Sequence, residues 1–295
     1  MDKNLNITDF ANFGESSIKD FITLTKPGVT FLVLFSAFIG LLIADITHNL
    51  FLDFVVLLAI TLSSCGAAAI NMWYDADIDA IMKRTKTRPI PAGKIPADEV
   101  LNFGIILSIT SFILMFLASN FLASFLLIFA NLFYSVFYTM YLKRRFDQNI
   151  VIGGAAGAFP PVISYAAVTG NISLDAIFLF LIIFFWTPPH FWALALFRSD
   201  DYKLAKIPML PVTKGVNRTI LEIFIYTICL SILPILAYFF GNHFSIYFLV
   251  VSCLLNGYFL YLTARLFKHA DKKLSMQIFG YSIIYLFILL AAVLI

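Results

Sequence analysis

The sequence predicts an all-α fold: a polytopic membrane helix bundle of nine transmembrane helices around a central cavity that faces the cytoplasm. Three observations carry this reading. Of the 295 residues, 61% are hydrophobic and 13% are charged, against about 25% charged in a soluble domain. Nine apolar runs approach the roughly 20 residues that a spanning helix needs. The cations also sort onto one side of those runs. No nucleic-acid partner is expected, and a lipid bilayer is the implied surrounding.

In chain order, residues 1–26 read as a cytoplasmic N-terminal arm. Asp2, Asp9, Glu15 and Asp20 make it too acidic for a signal or transit peptide. The arm ends in a short amphipathic helix over Ser16–Leu24. Residues 27–295 form the membrane domain, with spans at about 27–46, 50–70, 99–118, 121–141, 150–168, 174–196, 220–239, 244–266 and 275–294. The third and fourth are separated only by Ser119 and Asn120, which implies a tight helical hairpin. With this segmentation all 20 Lys and Arg fall on the N-terminal side or at its boundary. The loops near Asp45–Asn49, Ser119-Asn120, Thr169–Ser173 and Gly241–Ser245 hold none. The excess of cations on cytoplasmic loops then places the N-terminus in the cytoplasm and the C-terminus on the opposite side; the expected location is a bacterial inner membrane. Cys65, Cys229 and Cys253 lie far apart inside apolar runs and read as small fillers.

Two cytoplasmic loops are long, at about 80–98 and 197–219, and both run acids, cations and then a Pro-rich turn. In the first, Asn71, Asp75 and Asp79 are spaced i, i+4, i+8, which stacks three oxygen-bearing side chains on one helix face. Lys83, Arg84, Lys86, Arg88 and Lys94 follow. Buried acids at a bilayer boundary are costly and need a partner or a task. Hard oxygen ligands suit Mg²⁺, which binds through a few carboxylates plus substrate phosphates. The basic loop is placed to hold the remaining phosphate oxygens. Interfacial solubility is the competing account. Asp77 lies about 200° from Asp75 around the helix and reads as a supporting or surface acid. Asp200 and Asp201 sit at the equivalent end of the sixth span beside Lys203. They are either ordinary loop acids or a second metal cluster, with Asp201 favoured.

The fourth span ends in Lys143, Arg144 and Arg145, as orientation alone would demand. Asn131, Tyr134 and Tyr138 precede them at spacings that put them on one helical face, the wall of a cavity. In WTPPHFWALALFR, Pro188-Pro189 should break or kink the sixth span, and Pro160-Pro161 marks a second break. His190 is an ionisable group inside a span and so a functional candidate. Trp186 and Trp192 are anchors or cavity wall. Some of the 33 Phe and 13 Tyr could line a lipid pocket or stabilise a carbocation.

The N-x-x-x-D-x-x-x-D motif, nine spans and a second acidic loop resemble the UbiA-type intramembrane prenyltransferase superfamily. MKRTKTRPIPAGKI, YLKRRFDQNIVIGGAAGAFPPVISYAAVTG and WTPPHFWALALFRSDDYKLAKIPMLPVTKG are similar to its haem-farnesylating branch, from about Lys26 to Gly215 and more weakly beyond. The resemblance implies farnesyl transfer from farnesyl diphosphate to a vinyl group of haem B, with water addition giving haem O. It implies Mg²⁺ on Asn71, Asp75 and Asp79, with Asp200 and Asp201 as an incomplete second set. Arg84, Arg88, Lys143 and Arg144 would face the diphosphate, with Lys203 as a further contact. His190 and Trp192 would lie on the haem side, and Tyr138 and His190 could place the added water. Contact with other haem-synthesis or terminal-oxidase components fits the same reading. A prenyltransferase with another aromatic or quinone-precursor acceptor, or a secondary transporter, stays open from the residues alone.

Overall fold

The computed structural model describes residues 16–295, so Asp2, Asp9 and Glu15 lie outside the described residues. Short α1 (Ile18–Leu24) is nucleated by Ser17, whose N–H and hydroxyl both donate to the Asp20 carboxylate (3.2 and 2.6 Å). Asp20 also accepts from Lys94 Nζ at 2.7 Å, which ties this helix across the first long loop. Lys26, in the left-handed region at φ 48, turns the chain by 55° into α2 (Pro27–Leu42). The remaining elements are α3 (Leu50–Tyr74), α4 (Ala76–Ile81), α5 (Ala97–Ala118), α6 (Phe121–Leu132) with a π-helical continuation Phe133–Leu142, α7 (Asn149–Ala158), α8 (Pro160–Thr169), α9 (Leu174–Phe197), α10 (Ser199–Leu204), α11 (Leu210–Thr213), α12 (Gly215–Phe240), α13 (Ile246–Lys268) and α14 (Lys272–Ala291), which ends in the 3₁₀ turn Ala292–Leu294.

Among the described residues eight helical segments are long and apolar enough to cross a membrane, and a ninth arises if the bent α1–α2 pair is one span. The first span is shorter than the expected 27–46. Its helix stops at Leu42, where the Ile43 and Ala44 amides turn back onto Ile39 and Leu41 carbonyls, just before Asp45. Helices that start on the cation-free side are capped in the ordinary way: Asn49, Asn120, Ser173 and Ser245 accept from backbone amides at the heads of α3, α6, α9 and α13.

Small residues set the closest contacts. A Cβ on Gly66 of α3 would lie 2.7 Å from the Gly104 carbonyl oxygen of α5, so these two helices touch backbone to backbone. Asn131 of α6 donates to the Ser63 carbonyl and hydroxyl (both 3.0 Å) and to Ser108 (3.3 Å), binding α6 to α3 and α5.

Three sequence expectations change here. Asn131 faces this helix contact rather than the wall shared by Tyr134 and Tyr138. The buried stripe is Asn131, Ser135 and Thr139, and the two tyrosines stack on each other at 5.3 Å beside it. The cause is the π-helical stretch, whose i→i+5 bonds (Lys143 N–H to Tyr138 carbonyl, 2.9 Å) re-phase the helix after residue 133. Second, of the expected break or kink at Pro188-Pro189 there is no break: α9 runs as one helix through both prolines, packed against α12, α14 and α7. The expected break does occur between α7 and α8, where Pro160 opens the second helix. Third, Trp192 is fully buried and edge-on to Tyr226 of α12, so it belongs to the core and not to an open wall.

The two long loops meet. Ile78 and Met82, from α4 and its end, share one buried apolar cluster with Tyr202, Ala205 and Ile207, from α10 and the turn after it. The acid-bearing ends of α3 and α9 are thereby brought to one side of the bundle.

Candidate active site

At the end of α3, the helix presents Asn71 and Asp75 one turn apart, and α4 adds Asp79 another turn on. All three are buried, Asp75 completely. The Asn71 amide nitrogen donates to Asp75 Oδ2 (2.9 Å) and to Thr139 Oγ1 (3.1 Å). Its carbonyl accepts from Lys26 Nζ at 2.7 Å. The Asp75 Oδ2 atom also takes a short hydrogen bond from Lys143 Nζ. Asp79 pairs with Arg88 Nη1 at 2.6 Å, and the Thr85 hydroxyl donates to the Asp79 carbonyl at 3.1 Å. The carboxylates are 0% and 4% exposed at the side chain, while Lys143 and Arg88 keep 18% and 17%. A buried acid row thus opens outward through a ring of cations.

One oxygen in this row is unspent. Asp75 Oδ1 is enclosed and has no hydrogen-bond partner among the described residues; the Arg144 guanidinium stops 3.8 Å short of it. Arg144 is held elsewhere, donating to both Asp77 oxygens (2.9 and 2.8 Å) and to the Tyr74 carbonyl (2.8 Å) above the Tyr74 ring. Burial alone would raise the Asp77 carboxyl, but the Arg144 hydrogen bonds and charge outweigh it and hold the acid below its ordinary value. Asp77 is thus the surface acid that its helix angle implies, and it orients Arg144.

The second loop supplies one similar acid, not two. Asp201 is buried, and its Oδ2 has no hydrogen-bond partner among the described residues, with Arg198 Nη1 at 3.7 Å. Asp200 points away, exposed and paired with Lys272 at 2.7 Å. Its carboxyl is held low mainly by Lys272, with Lys203 and Lys83 adding. This removes Asp200 from the expected metal set: neighbouring residues on α10 lie about 100° apart, so only one of them can face inward.

Of the other expected residues, Arg84 and Lys203 are exposed and make no ion pair among the described residues. Tyr138 is half-buried against α7, where Gly153 leaves room for its ring. His190 is buried on α9, stacked on Trp186 with centroids 4.3 Å apart and bonded to Ser282 of α14 at 2.7 Å. Three participants were not expected: Lys26, Thr139 and Arg198. The i,i+3 spacing of Arg198 and Asp201 was a readable signal; the Lys26 and Thr139 contacts depend on tertiary packing.

Among the described residues no three His, Cys, Asp or Glu side chains form a ready metal cage. The donor set nevertheless fits Mg²⁺. It is all oxygen, two of its carboxylate oxygens are buried without hydrogen-bond partners, and this ion keeps waters and completes its shell from phosphate.

Residues 33–291 match the UbiA prenyltransferase family. The chain is 48% identical over 286 residues to the protoheme IX farnesyltransferase of Rickettsia bellii, covering 97% of this chain and 95% of that protein. It is 49% identical to the protoheme IX farnesyltransferase of Rickettsia akari, covering 95% and 92%. Among solved structures, a digeranylgeranylglyceryl phosphate synthase superposes with TM-score 0.78 at 21% identity, over 94% of this chain and 97% of that one. A UbiA homologue from Archaeoglobus fulgidus bound to GPP and Mg²⁺ superposes with TM-score 0.70 at 17% identity, over 93% and 99%.

Proposed function

This chain belongs to the UbiA prenyltransferase family and is a membrane-embedded prenyltransferase; from that premise we propose that it transfers farnesyl from farnesyl diphosphate to a vinyl group of haem B, and that water addition then gives haem O. Supporting this are the family match and the relatives' shared activity, together with the buried acid row inside a ring of cations.

Asn71, Asp75, Asp79 and Asp201 are the residues that would hold Mg²⁺. When bound, that ion neutralises charge building on the diphosphate as its bond to farnesyl C1 lengthens. Arg88 and Lys143 lie at the mouth of the acid row, where the departing diphosphate oxygens would sit, and Arg144 stands behind them, oriented by Asp77. Fixed donors of this kind need no reorganisation during reaction; one is typically worth about 3 kcal/mol. Exposed Arg84 and Lys203 serve capture of the diphosphate from the cytoplasmic side. Tyr134 and Tyr138, stacked on each other on the helix whose Thr139 binds Asn71, would offer π faces to the allylic cation. The C1–O bond breaks, its electron pair leaving with diphosphate, and the vinyl π bond then forms a new bond to farnesyl C1. The cation then lies on the carbon beside the porphyrin ring. Water adds there, loses one proton, and leaves the hydroxyethylfarnesyl group.

The proposed site lies on the cytoplasmic side of a bacterial inner membrane, with the N-terminus in the cytoplasm and the C-terminus outside. Contact with other haem-synthesis or terminal-oxidase components would pass the product on. Purified protein incubated with haem B, farnesyl diphosphate and Mg²⁺ should yield hydroxyethylfarnesyl haem by mass spectrometry. Unmodified haem alongside prenylation of a quinone precursor would move the reading to the other acceptor class. Diphosphate flux across vesicles with no covalent product would move it to transport.

A further inference from the structure

His190 is held in a way that the transfer of farnesyl does not require. Its imidazole is sandwiched between Trp186, one turn earlier on α9, and Phe279 of α14, with ring centroids at 4.3 and 4.5 Å and planes 19° and 25° apart. Phe191 adds an edge at 4.9 Å. The ring plane is therefore fixed from both faces. Its polar partner is Ser282, fully buried on α14: the Ser282 oxygen lies 2.7 Å from Nδ1. That hydroxyl is also 2.7 Å from the Phe279 carbonyl, to which it donates. The Ser282 backbone carbonyl in turn accepts from Trp186 Nε1 at 2.7 Å.

A serine hydroxyl has one hydrogen, and a carbonyl can only accept it. Both 2.7 Å contacts are hydrogen bonds only when His190 Nδ1 carries a hydrogen and donates to Ser282. In the neutral ring this leaves Nε2 with a bare lone pair. Nε2 has no protein partner among the described residues and, unlike Trp192 Nε1, is not walled off. Among the described residues His190 meets no carboxylate that would draw off the Nδ1 hydrogen or stabilise a charged ring. A histidine with its plane clamped, one N–H spent on a hydrogen bond inside the protein and the other nitrogen open is the arrangement that metal-ligating histidines adopt. The clamp is also aromatic on both faces, so the edges of three stacked rings would meet the face of a flat conjugated ligand whose metal Nε2 binds. His190 lies eight residues before Arg198 on α9, about 12 Å of helix rise below the basic surface, at the depth where an acceptor would sit beneath the diphosphate.

We propose that His190 Nε2 is the axial ligand to the iron of the porphyrin acceptor and that Ser282, by fixing the Nδ1–H tautomer and the ring, is the residue that positions it. The proposal rests on the haem-acceptor reading above. It assigns a site on α9 and α14 to the metal centre of the substrate, separate from the acid row that faces the diphosphate.

The test uses purified full-length protein and ferric haem B without farnesyl diphosphate, read by absorption and electron paramagnetic resonance. Wild type should show nitrogen-ligated haem. His190→Ala should lose that signature and regain it on adding free imidazole. Ser282→Ala should weaken haem binding about tenfold or more, the usual scale for a partner of a ligating histidine, while Ser282→Thr, which keeps the hydroxyl, should restore it. An unchanged signature in His190→Ala overturns the ligand assignment even if haem is still farnesylated. The same holds if His190→Ala keeps the signature but yields product lacking the added hydroxyl, which would make Nε2 a proton acceptor for the water. If wild type binds no haem and prenylates another acceptor, the haem reading itself has failed.

Discussion

Replacing Asp75 with asparagine removes one charge and almost no volume from the centre of the acid row. The wild-type carboxylate is completely buried, accepts from Asn71 and Lys143, and keeps Oδ1 without a hydrogen-bond partner. The introduced amide can still accept from Lys143 and meet Asn71, so the fold is retained. The four cations Lys26, Arg88, Lys143 and Arg144 would then face only Asp79 and Asp77. Uncompensating a buried pair costs on the order of 3–5 kcal/mol. The low end applies, since Lys143 retains access to water. If Asp75 serves the metal that stabilises the leaving diphosphate, about 3 kcal/mol of transition-state stabilisation is lost as well, or roughly a hundredfold in rate. The assay is initial-rate formation of prenylated haem by purified protein in detergent, with a thermal melt on the same sample. We expect Asp75→Asn to fall at least a hundredfold while still giving a cooperative melt. A rate within threefold of wild type, with Asp79→Asn equally active, would refute the metal–diphosphate assignment.

Four further outcomes follow from the same geometry. Asp201→Asn should cost at least tenfold in rate, whereas Asp200→Asn, altering an exposed acid paired with Lys272, should stay within threefold; equal losses would show that the burial contrast is irrelevant. Arg84→Ala should raise KM for farnesyl diphosphate several-fold with kcat preserved, whereas Arg88→Ala, which unpairs Asp79, should lower kcat; the reverse split would exchange their roles. Chelating divalent ions with EDTA should stop turnover, and added Mg²⁺ should restore it; undiminished turnover after exhaustive chelation would remove the metal from the account. Asn131→Leu deletes hydrogen bonds to Ser63 and Ser108 and should destabilise by about 2 kcal/mol as read by thermal melting; an unchanged melt would mean that α6 is held by packing alone.

Much of this architecture was legible because membranes make sequence simple. Apolar length marks the spans, and the sorting of Lys and Arg marks their sides. Asn71, Asp75 and Asp79 could be grouped because one period of 3.6 residues governs their backbone; the small break at Asp75 between α3 and α4 does not destroy it. The same arithmetic failed for Asn131, Tyr134 and Tyr138, since a π-helical stretch has no sequence signature and shifts everything after it. It also could not rank Asp200 against Asp201, because which side of a six-residue helix faces inward depends on what it packs against. Pro188-Pro189 read as a break or kink because local propensity is all a sequence offers; neighbouring helices keep α9 continuous there. Lys26 and Ser282 were invisible for a related reason. Their partners, Asn71 and His190, lie 45 and 92 residues away, and nothing local tells a lysine before a proline or a serine in a span that it will meet them.

In the proposed mechanism, acids from both loops act on one diphosphate through a divalent ion. Calorimetric titration of an unreactive farnesyl thiodiphosphate into purified protein tests it most directly. Binding should require Mg²⁺ in wild type and should weaken at least tenfold in both Asp75→Asn and Asp201→Asn. Wild-type affinity in the Asp201 variant, or full affinity without Mg²⁺, would contradict it.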